Sequence, residues 1–294
     1  MMRSAMFGAV ALLTVFRFAG YFTEPRLTDA EIHAIAGEPT GVARPPGDHR
    51  ALTIVTWNIE RGARFQNVAS TLRALAPDIV LLQEVDRYCQ RSGDRDVARE
   101  LARVLGMNWV AAGEFQEIGE AGGTPAAITG QAILSRDPIT DAGTIVFADQ
   151  SSMRWRLNPL QPRRGGRIAL RARTAGVVVY SVHLESGGDD VQRASQLNEV
   201  IADPWRAPTE AAVIGGDFNN ASAFQSFMFA GLEPAGFVDA LGHARADQRR
   251  TSINHRHPID WLFVKGAARV TGRVERVEDT SDHYPVVATV TRSR

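Results

Sequence analysis

The sequence predicts an α/β fold, and two observations support that prediction. Continuous apolar runs at residues 79–82 and 177–182 are typical of strands that are covered on both faces. Segments whose apolar residues recur at helical spacing, at residues 68–75 and 97–105, follow or separate such runs. Strands that alternate with helices along the chain indicate the α/β class.

The first two predicted strands both end in polar side chains. Residues 52–60 are rich in β-branched side chains and carry Asn58 and Glu60 at their end. The strand at residues 79–82 delivers a second acid, Glu84, in the same way. A rigid strand that passes into a loop holds such side chains in place and leaves them open to a substrate.

The middle of the chain contains two irregular segments. Residues 113–130 are rich in glycine and are predicted to form a loop and an edge strand, before an apolar strand resumes at residues 131–136. Residues 149–166 are predicted to form a long loop, and a loop of that length in a compact domain usually has a function or is disordered. A half-exposed strand at residues 168–173 precedes the buried strand that ends in His183.

Residues 215–219, with the sequence GGDFN, combine an acid and an amide at the end of the apolar strand 212–214. An Asx-rich turn is the ordinary explanation of such a stretch taken alone, since Gly, Asp and Asn favour turns.

Helices are predicted on both sides of this stretch, the first at residues 190–201. After it, Ser222 is predicted to cap a helix that stops near Gly231.

Two further strands are predicted near the end of the chain, at residues 259–264 and 286–290. The irregular loop before the first of them carries His243, His255 and His257. No low-complexity tract or short-period repeat is present.

Composition limits the possible functions. The 294 residues include 33 Lys or Arg and 33 Asp or Glu, so the net charge is zero and no general electrostatic attraction to nucleic acid is indicated. A local basic patch is compatible with this balance. The single cysteine, Cys89, excludes an internal disulfide and a Cys-based zinc site.

Residues 1–50 are predicted to precede the main domain of the chain. Arg3 is followed by an apolar run at residues 5–16, which has the length of a signal-peptide core and is short for a membrane span. Export or membrane anchoring through this run is favoured over a cytoplasmic location. A buried N-terminal helix is the alternative.

A short helix and a linker are predicted between that run and the domain. Thr28 and Glu31 have the spacing of a capping box, which opens a helix that extends as far as Gly37. Residues 39–50 contain a Pro-Pro-Gly sequence and little apolar surface, as linkers do. The domain is therefore predicted to cover residues 51–294.

Polar side chains lie at six predicted strand ends. They are Asn58, Glu84, His183, Asp217 with Asn219, Asp260, and Asp282 with His283. Taken singly, each has an ordinary explanation: a lone histidine is usually a hydrogen-bonded structural residue, and Asp or Asn often makes a turn or a cap. Together they indicate one site. Carboxylate and amide oxygens, without Cys or an HExxH pattern, favour Mg²⁺ or Mn²⁺ over zinc.

Six motifs resemble, in order, those of the endonuclease/exonuclease/phosphatase superfamily, which includes DNase I-like nucleases, abasic-site endonucleases, inositol polyphosphate 5-phosphatases and bacterial sphingomyelinases. The motifs are Thr56-Trp57-Asn58-Ile59, Gln83-Glu84-Val85, Val182-His183-Leu184, Gly216-Asp217-Phe218-Asn219, Ile259-Asp260-Trp261 and Ser281-Asp282-His283. The resemblance covers residues 52–290. It implies a four-layer α/β sandwich, with two mixed β-sheets packed face to face and helices on the outer faces.

The resemblance also implies how a metal ion and a water molecule are held. Glu84 is expected to be the principal metal ligand, with Asn58 beside it and Asp282 as a further ligand of the metal or of its water. Asp217 is expected to orient and deprotonate the attacking water. A metal-bound leaving oxygen needs no separate strong acid.

Four further residues are expected to face the phosphate. Asn219 and His183 match the donors to the non-bridging phosphoryl oxygens, and Asp260 matches the residue that orients His283. In-line attack on a phosphoester builds negative charge on the equatorial oxygens. Donors that converge there therefore stabilise the transition state.

Two features bear on the substrate. Gln131 stands where many relatives have Asn, and it is a candidate substrate-binding residue. Residues 183–186, with Gln192, Arg193 and Gln196 on the next helix, are similar to the corresponding segment of the tyrosyl-DNA phosphodiesterases of this superfamily. They are also similar to many bacterial members of unknown substrate, so nucleic acid is only weakly indicated.

The long loop supplies the remaining candidates, Arg154, Trp155, Arg156 and Arg164. Cations beside an aromatic ring can bind phosphates and stack on a base. A loop whose cations contact only water is the alternative.

A phosphoester is the expected partner of the protein, and nucleic acid is one of the candidates. The N-terminal run allows membrane contact, and no protein partner is indicated.

The expected function is that of a Mg²⁺- or Mn²⁺-dependent phosphoester hydrolase, a phosphodiesterase or endonuclease that acts by in-line attack of an activated water. A hydrolase of lipid headgroups or small phosphoesters is the first alternative, compatible with the zero net charge and the N-terminal run. A non-catalytic binding module of the same fold is the second. It is disfavoured because no acid or histidine of the six motifs is missing.

Overall fold

The computed structural model describes residues 24–38, 50–121, 125–151, 162–220 and 227–292. In chain order the strands are β1 (Ala36–Glu38), β2 (Ala51–Arg61), β3 (Ile79–Arg87), β4 (Asn108–Glu117), β5 (Ile128–Ser135), β6 (Ile139–Val146), β7 (Arg163–Gly165), β8 (Ile168–Thr174), β9 (Val177–His183), β10 (Ala212–Asp217), β11 (Phe237–Asp239), β12 (Asp260–Lys265), β13 (Ala267–Val274) and β14 (Val286–Arg292). The α-helices are α1 (Asp29–Ile32), α2 (Phe65–Leu75), α3 (Val97–Leu105) and α4 (Asp190–Ile201).

The described strands form two mixed sheets. The first sheet has the order β1-β4-β5-β3-β2-β14-β13, with β7 also paired to β4, and the second has the order β11-β12-β10-β9-β8-β6. The parallel neighbours are β2 with β3 and β9 with β10. Because parallel neighbours end at the same edge of a sheet, each sheet brings two strand ends together there.

The two sheets pack face to face around an apolar core. Leu81 and Ile133 of the first sheet and Leu170 and Val213 of the second are buried in it. Helices α2 and α3 cover the outer face of the first sheet. Helix α4 covers the outer face of the second through Leu197. The chain is therefore a four-layer α/β sandwich, as predicted.

The helix ends follow from the local sequence. Helix α3 begins after Asp96, whose side chain accepts a hydrogen bond from Arg99 N at 3.1 Å, and it ends at Gly106 in the left-handed conformation. Helix α4 begins after Asp189, whose side chain accepts from Gln192 N at 2.9 Å. The bounds of α4 are those predicted from the sequence.

The N-terminal helix is shorter than predicted. The capping box of Thr28 and Glu31 is present, with both reciprocal hydrogen bonds. The helix ends at Ile32, however, and the residues up to Gly37 do not continue it. They enter β1, which pairs antiparallel with β4, because β4 offers unpaired backbone groups at that edge of the sheet.

Residues before α1 also attach to β4 and to the turn after it. The side chain of Gln116 donates to Pro25 O at 2.8 Å and accepts from Leu27 N at 3.0 Å. Gly119 N donates to both carboxylate oxygens of Glu24, at 3.1 Å each. The segment 24–38, which we call the N-terminal strap, is thus held to the sheet by backbone and side-chain contacts.

Several predictions fall on residues that the structure does not describe. These include the apolar run at residues 5–16, most of the linker at residues 39–49, the loop residues 154–156 and the start of the helix predicted after Ser222. Among the described residues, no helix is long and apolar enough to span a bilayer. Export and membrane contact therefore stay predictions.

Two segments contain more strand than predicted. In residues 113–130, β4 and β5 both extend into the glycine-rich part, and Gly113 and Gly130 pair directly. A Cβ at residue 130 would lie 2.1 Å from the carbonyl oxygen of Ala112, so glycine here permits close approach of two strands. In the long loop, β7 pairs with β4. A strand of three residues is too short to show the alternation of apolar and polar side chains from which strands are predicted, so the sequence did not indicate it.

The helix predicted up to Gly231 is not present in its described part. Residues 227–236 form turns instead. Gly231, Pro234 and Gly236 fall within this segment, and such a density of Gly and Pro favours turns over a continuous helix.

Candidate active site

The ends of β2, β3, β9 and β10 meet at one edge of the sandwich, on the seam between the two sheets. Asn58 of β2 crosses this seam: its Nδ2 donates to Asp217 Oδ2 of β10 at 3.1 Å and to Glu84 Oε1 of β3 at 3.3 Å. Just before Glu84, the side chain of Gln83 also crosses the seam and donates to Ser181 Oγ at 2.9 Å. The strand ends grouped from the sequence are therefore adjacent in space.

Glu84 lies at a β-bulge. Its φ is +51°, and the register of β3 shifts at this position against β5. A non-glycine residue in the left-handed region is strained, and bulges commonly redirect a side chain beside a functional site. The carboxylate of Glu84 is 30% exposed and lies 3.7 Å from Arg61 Nε. The bulge therefore turns this acid toward solvent at the mouth of the site.

The carboxylate of Asp217 lies between two imidazoles. Its Oδ2 is 3.5 Å from His183 Nε2 and 3.8 Å from His283 Nε2. The side chain of Asp217 is buried, and its Oδ1 accepts from Asn219 N at 3.0 Å. Asn58 holds the other oxygen, so hydrogen bonds fix the carboxylate from both sides.

His283 has its own carboxylate partner. Its Nδ1 lies 3.0 Å and 2.9 Å from the two oxygens of Asp260, which is fully buried. Asp217, Asp260 and His283 each offer one ligand atom, and those atoms lie within 4.8 Å of one another. The described residues thus contain a compact, buried Asp-Asp-His group that is a possible metal site.

The protonation states of these groups differ because their partners differ. Burial lowers the pKa of His283, but the charges of Asp260 and Asp217 outweigh it and raise that pKa to about 10. Burial raises the pKa of Asp217 to about 6; His283 opposes this rise, whereas the charge of Asp260 adds to it. At neutral pH the Asp217 carboxylate is therefore mostly ionised beside an imidazolium.

His183 stays neutral. Burial lowers its pKa well below the usual value, and the nearby positive charges of Arg167 and His283 lower it further. Of the two imidazoles that face Asp217, one is thus charged and one is neutral at neutral pH. A neutral imidazole nitrogen that carries a proton can still donate a hydrogen bond.

Asn219 and Asp282 complete the set of residues at the predicted strand ends. Asn219 has a φ of +46°, and its Nδ2 donates to Leu184 O at 3.1 Å. Asp282 is 34% exposed in its side chain, its Oδ1 lies 4.0 Å from His283 Nε2, and burial raises its pKa. The predicted metal ligands Asp282 and Glu84 are therefore the partly open acids of the site.

The predicted substrate-binding residues have different placements. Gln131 is buried, and its Nε2 donates to Glu114 Oε1 at 3.2 Å and to Ile168 O at 2.7 Å. Arg164 stands opposite Gln116 in the β4–β7 pair, so both side chains lie on the sheet face that carries the N-terminal strap. Arg154, Trp155 and Arg156 lie outside the described residues.

The sequence analysis missed Glu114 and Arg167. Glu114 Oε2 lies 3.6 Å from His183 Nδ1 and accepts from Arg167 Nη1 at 3.0 Å, with both side chains almost fully buried. Among the described residues His183 Nδ1 has no hydrogen-bond partner. Glu114 lies in the glycine-rich segment at residues 113–130, which is predicted to form a loop and an edge strand and gives no sign of a buried acid.

Arg163, the neighbour of the candidate Arg164, lies on the side of β7 that faces the site. The guanidinium of Arg163 lies 4.2 Å from the centre of the Phe115 ring, and that of Arg167 lies 5.3 Å from the same ring. The positive charge of Arg163 lowers the pKa of His183 after burial, Arg167 and His283. Arg163 is therefore a cation on the inner, site-facing side of β7.

The fold is that of the DNase I-like α/β sandwiches. The model of the Endonuclease/Exonuclease/phosphatase family matches residues 55–283, and the chain belongs to that family. The family match confirms the resemblance inferred from the six motifs. Its members are typically metal-dependent phosphoester hydrolases.

Solved structures with the same fold come from distant organisms. An endonuclease/exonuclease/phosphatase from Beutenbergia cavernae has a TM-score of 0.63 at 22% identity, over 83% of this chain and 72% of that one. The D. rerio TDP2 complex with a single-strand DNA product has a TM-score of 0.54 at 20% identity, over 82% and 98%. The Neisseria 3′ phosphatase NExo, bound to a product DNA hairpin, has a TM-score of 0.57 at 22% identity, over 83% and 100%. Among curated proteins, none matches the chain.

Proposed function

We propose that this protein is a Mg²⁺- or Mn²⁺-dependent phosphodiesterase that acts on nucleic acid by in-line attack of a water molecule. The observation that carries the proposal is Asp217, an ionised carboxylate held between a charged and a neutral imidazole at the seam of the two sheets. A base between two donors suits a reaction in which a water loses a proton while charge builds on phosphoryl oxygens.

The donor set at the mouth of the site fits a hard divalent cation. Glu84 and Asp282 are partly exposed carboxylates, and Asn58 lies 3.3 Å from Glu84. Mg²⁺ is usually bound by one or two carboxylates and keeps several waters, so open acids suit it. Bound there, the cation would neutralise charge on the phosphoryl and leaving oxygens.

The buried group of Asp217, Asp260 and His283 fits a cation less well. Both oxygens of Asp260 contact His283 Nδ1, and the carboxylate is closed to solvent. A cation there would have to displace an imidazolium from its carboxylate partner, at the cost of breaking a buried charge pair. We therefore assign the cation to Glu84, Asn58 and Asp282, and keep the buried group for proton transfer and phosphate binding.

In this proposal Asp217 orients the attacking water and takes its proton. Asn58 Nδ2 and Asn219 N hold the two carboxylate oxygens at 3.1 Å and 3.0 Å, which fixes the direction of the free lone pairs. A base whose pKa lies near the working pH accepts a proton efficiently, and the pKa of Asp217 is raised to about 6.

The remaining site residues bind the phosphate. His283, kept cationic by Asp260, supplies a charged donor through Nε2. His183 supplies a neutral donor from the opposite side of Asp217, and the amide of Asn219 can add a third. Donors placed in advance on three sides of the transferring phosphoryl group stabilise its equatorial oxygens in the transition state.

Two observations favour nucleic acid as the substrate. Similar structures from D. rerio and Neisseria are complexes with DNA products. In this chain Arg163 places a cation close to His183, where a neighbouring phosphate of a polynucleotide would lie. A lipid headgroup or small phosphoester is the alternative, and it is tested in the same experiment.

Hydrolysis of bis(p-nitrophenyl) phosphate tests the reaction, measured with Mg²⁺, with Mn²⁺ and with EDTA. Turnover that needs the cation and is lost in Asp217→Asn supports the proposal. Plasmid DNA, a single-stranded oligonucleotide, RNA, sphingomyelin and inositol phosphates, compared under one Mg²⁺ condition, then identify the substrate class. Absence of cation-dependent turnover on all of them would leave a non-catalytic binding module.

A further inference from the structure

A loop at residues 251–259 crosses the mouth of the site, and its first part is fixed beside Asp282. Ile253 N donates to Asp282 O at 2.9 Å. The side chain of Asn254 then donates to Asp282 Oδ2 at 3.3 Å. An antiparallel β-bridge between Ser252 and His283 adds a further contact. The first part of the loop is therefore held on the side of the site where the open acids lie.

The other end of this loop is fixed beside the segment that carries Asp217. His257 Nε2 lies 3.0 Å from Asn220 O, directly after the site residues of β10. Between the contact to Asp282 and the contact to Asn220 lie only His255 and Arg256. These two residues therefore connect the segment of Asp282 with the segment that follows Asp217.

The ring of His255 has a fixed support. It packs edge to face against His257, with ring centres 5.8 Å apart and an interplanar angle of 72°. The hydrogen bond to Asn220 holds His257 in place, so the ring of His255 packs against a fixed neighbour. His255 is otherwise exposed, and Ile253, two residues earlier, is 49% exposed.

Charged groups of the site act on the pKa of His255. Partial burial lowers the pKa of His255, and the charges of His257 and His283 lower it further, whereas Asp217 and Asp282 oppose them. Its ring is therefore uncharged at neutral pH. An uncharged, supported aromatic ring beside exposed apolar surface is suited to stacking and poorly suited to phosphate binding.

We propose that His255 is a specificity-determining residue whose ring stacks on a nucleobase next to the scissile phosphate. The inference rests on the proposed phosphodiesterase function and narrows it to diesters that carry a base beside the reacting group. Stacking tolerates any base, because every base has a π-face. The residue would therefore select nucleic acid over aliphatic headgroups without selecting a sequence.

The test compares dinucleoside monophosphates, which contain a single phosphodiester. One substrate carries both bases, and in two analogues one or the other residue is abasic. The unaltered protein should cleave the complete dinucleotide with a kcat/KM about tenfold above that of the abasic analogue that lacks the stacked base, since loss of one stacked base costs roughly that factor. His255→Ala should lose this preference and keep its rate on that analogue.

Two further variants separate stacking from other roles. His255→Phe keeps an aromatic ring but has no N–H group, so it should retain the preference if stacking causes it. If the preference came from a hydrogen bond of the imidazole, His255→Phe would lose it. His243→Ala removes another exposed histidine, on a different loop, and should behave as the unaltered protein. Circular dichroism of all three variants checks that the fold is intact.

The outcomes distinguish the inference from the function on which it rests. Equal rates on all three dinucleotides, or a full preference in His255→Ala, would overturn the role of His255 while leaving a phosphodiesterase. Loss of the preference in His255→Phe would overturn stacking. No cation-dependent cleavage of any dinucleotide or of bis(p-nitrophenyl) phosphate would overturn both.

Discussion

The two sides of the site place similar groups at similar distances from Asp217, yet the imidazole on one side is charged and the imidazole on the other is neutral. His183 Nε2 and His283 Nε2 lie 3.5 Å and 3.8 Å from the same oxygen of Asp217. Each imidazole also has a buried carboxylate on its Nδ1 side. Asp260 makes a hydrogen bond to His283 at 2.9 Å, whereas Glu114 stays 3.6 Å from His183.

The difference comes from a third residue. Burial raises the pKa of Glu114 and so disfavours its charge, whereas Arg167, which donates to Glu114 at 3.0 Å, lowers the pKa of His183. His283 instead faces two acids, Asp260 and Asp217, whose charges raise its pKa. A carboxylate beside a histidine therefore raises the pKa of that histidine only when the carboxylate stays charged and no nearby cation opposes it. The following predictions test this contrast.

The largest effect is expected at the carboxylate that both histidines share. Asp217→Asn keeps the shape of the side chain but removes the base, so kcat should fall on the order of 10³-fold or more. Glu84→Gln should act through cation binding instead. Mg²⁺ titrations of activity separate the two: added Mg²⁺ should restore Glu84→Gln and leave Asp217→Asn inactive. The reverse pattern would exchange the assigned roles.

A smaller loss is expected when His283 loses its partner. Asp260→Asn removes the largest charge that favours the imidazolium, so the pKa of His283 should fall from about 10 toward its ordinary range. Loss of one charged donor to the phosphate should lower kcat/KM by roughly 10²-fold at neutral pH. NMR titration of the imidazole C–H resonances measures the pKa directly. An unchanged His283 resonance in the variant would contradict this account.

The same pKa gives a dependence of stability on pH. Because the pKa of His283 is higher in the folded protein than in the unfolded chain, its contribution to stability is complete below the unfolded value. It is lost as the pH rises toward the folded value of about 10. The metal-free protein should therefore lose free energy of unfolding between neutral and alkaline pH, as measured by denaturant titration. Asp260→Asn should flatten that dependence.

On the other side of Asp217, removing Arg167 should raise the pKa of His183. Arg167 is the largest charge that lowers this pKa, and burial already raises the pKa of Glu114, so Arg167→Met removes a cation without freeing a charged acid. Adding Glu114→Gln to Arg167→Met should therefore change the pKa of His183 little further. NMR titration again provides the measurement. An unchanged pKa of His183 in Arg167→Met would show that Arg167 does not govern this imidazole.

The smallest effect is expected at the cations of β7, where the chain provides a matched pair. Arg163 lies on the inner face beside Phe115, and Arg164 lies on the outer face with the N-terminal strap. Arg163→Ala should raise KM for an oligonucleotide a few-fold and reduce the salt slope of binding by about one, as expected for one lost phosphate contact. Arg164→Ala should change neither. Equal effects of the two substitutions would mean that β7 does not orient its cations as described.

Much of the site was predictable because its residues follow apolar strands. Asn58, Glu84, His183 and Asp217 each come at the end of a predicted strand, and parallel neighbours bring such ends to one edge of a sheet. The four-layer architecture came from the family resemblance of the motifs. Periodicity alone indicated only the α/β class.

The residues that modify the site were not predictable for physical reasons. Glu114 lies in a glycine-rich segment that looked like a loop, although Gly113 and Gly130 serve close strand pairing there. The positive φ of Glu84 comes from the bulge, which no side-chain pattern records. Which of Arg163 and Arg164 faces the site depends on the register of a three-residue strand on β4.

The N-terminal strap has a consequence for how the chain can be shortened. The family match begins at residue 55, so a fragment that starts at residue 51 would contain every motif. That fragment would also expose the backbone donors and acceptors of β4 opposite residues 36–38, and it would leave buried Gln116 without its contacts to Pro25 and Leu27. An uncovered sheet edge is a template for pairing with other chains. Such a fragment would therefore tend to self-associate through the edge of β4. The same strand carries Glu114, which lies beside His183 in the site.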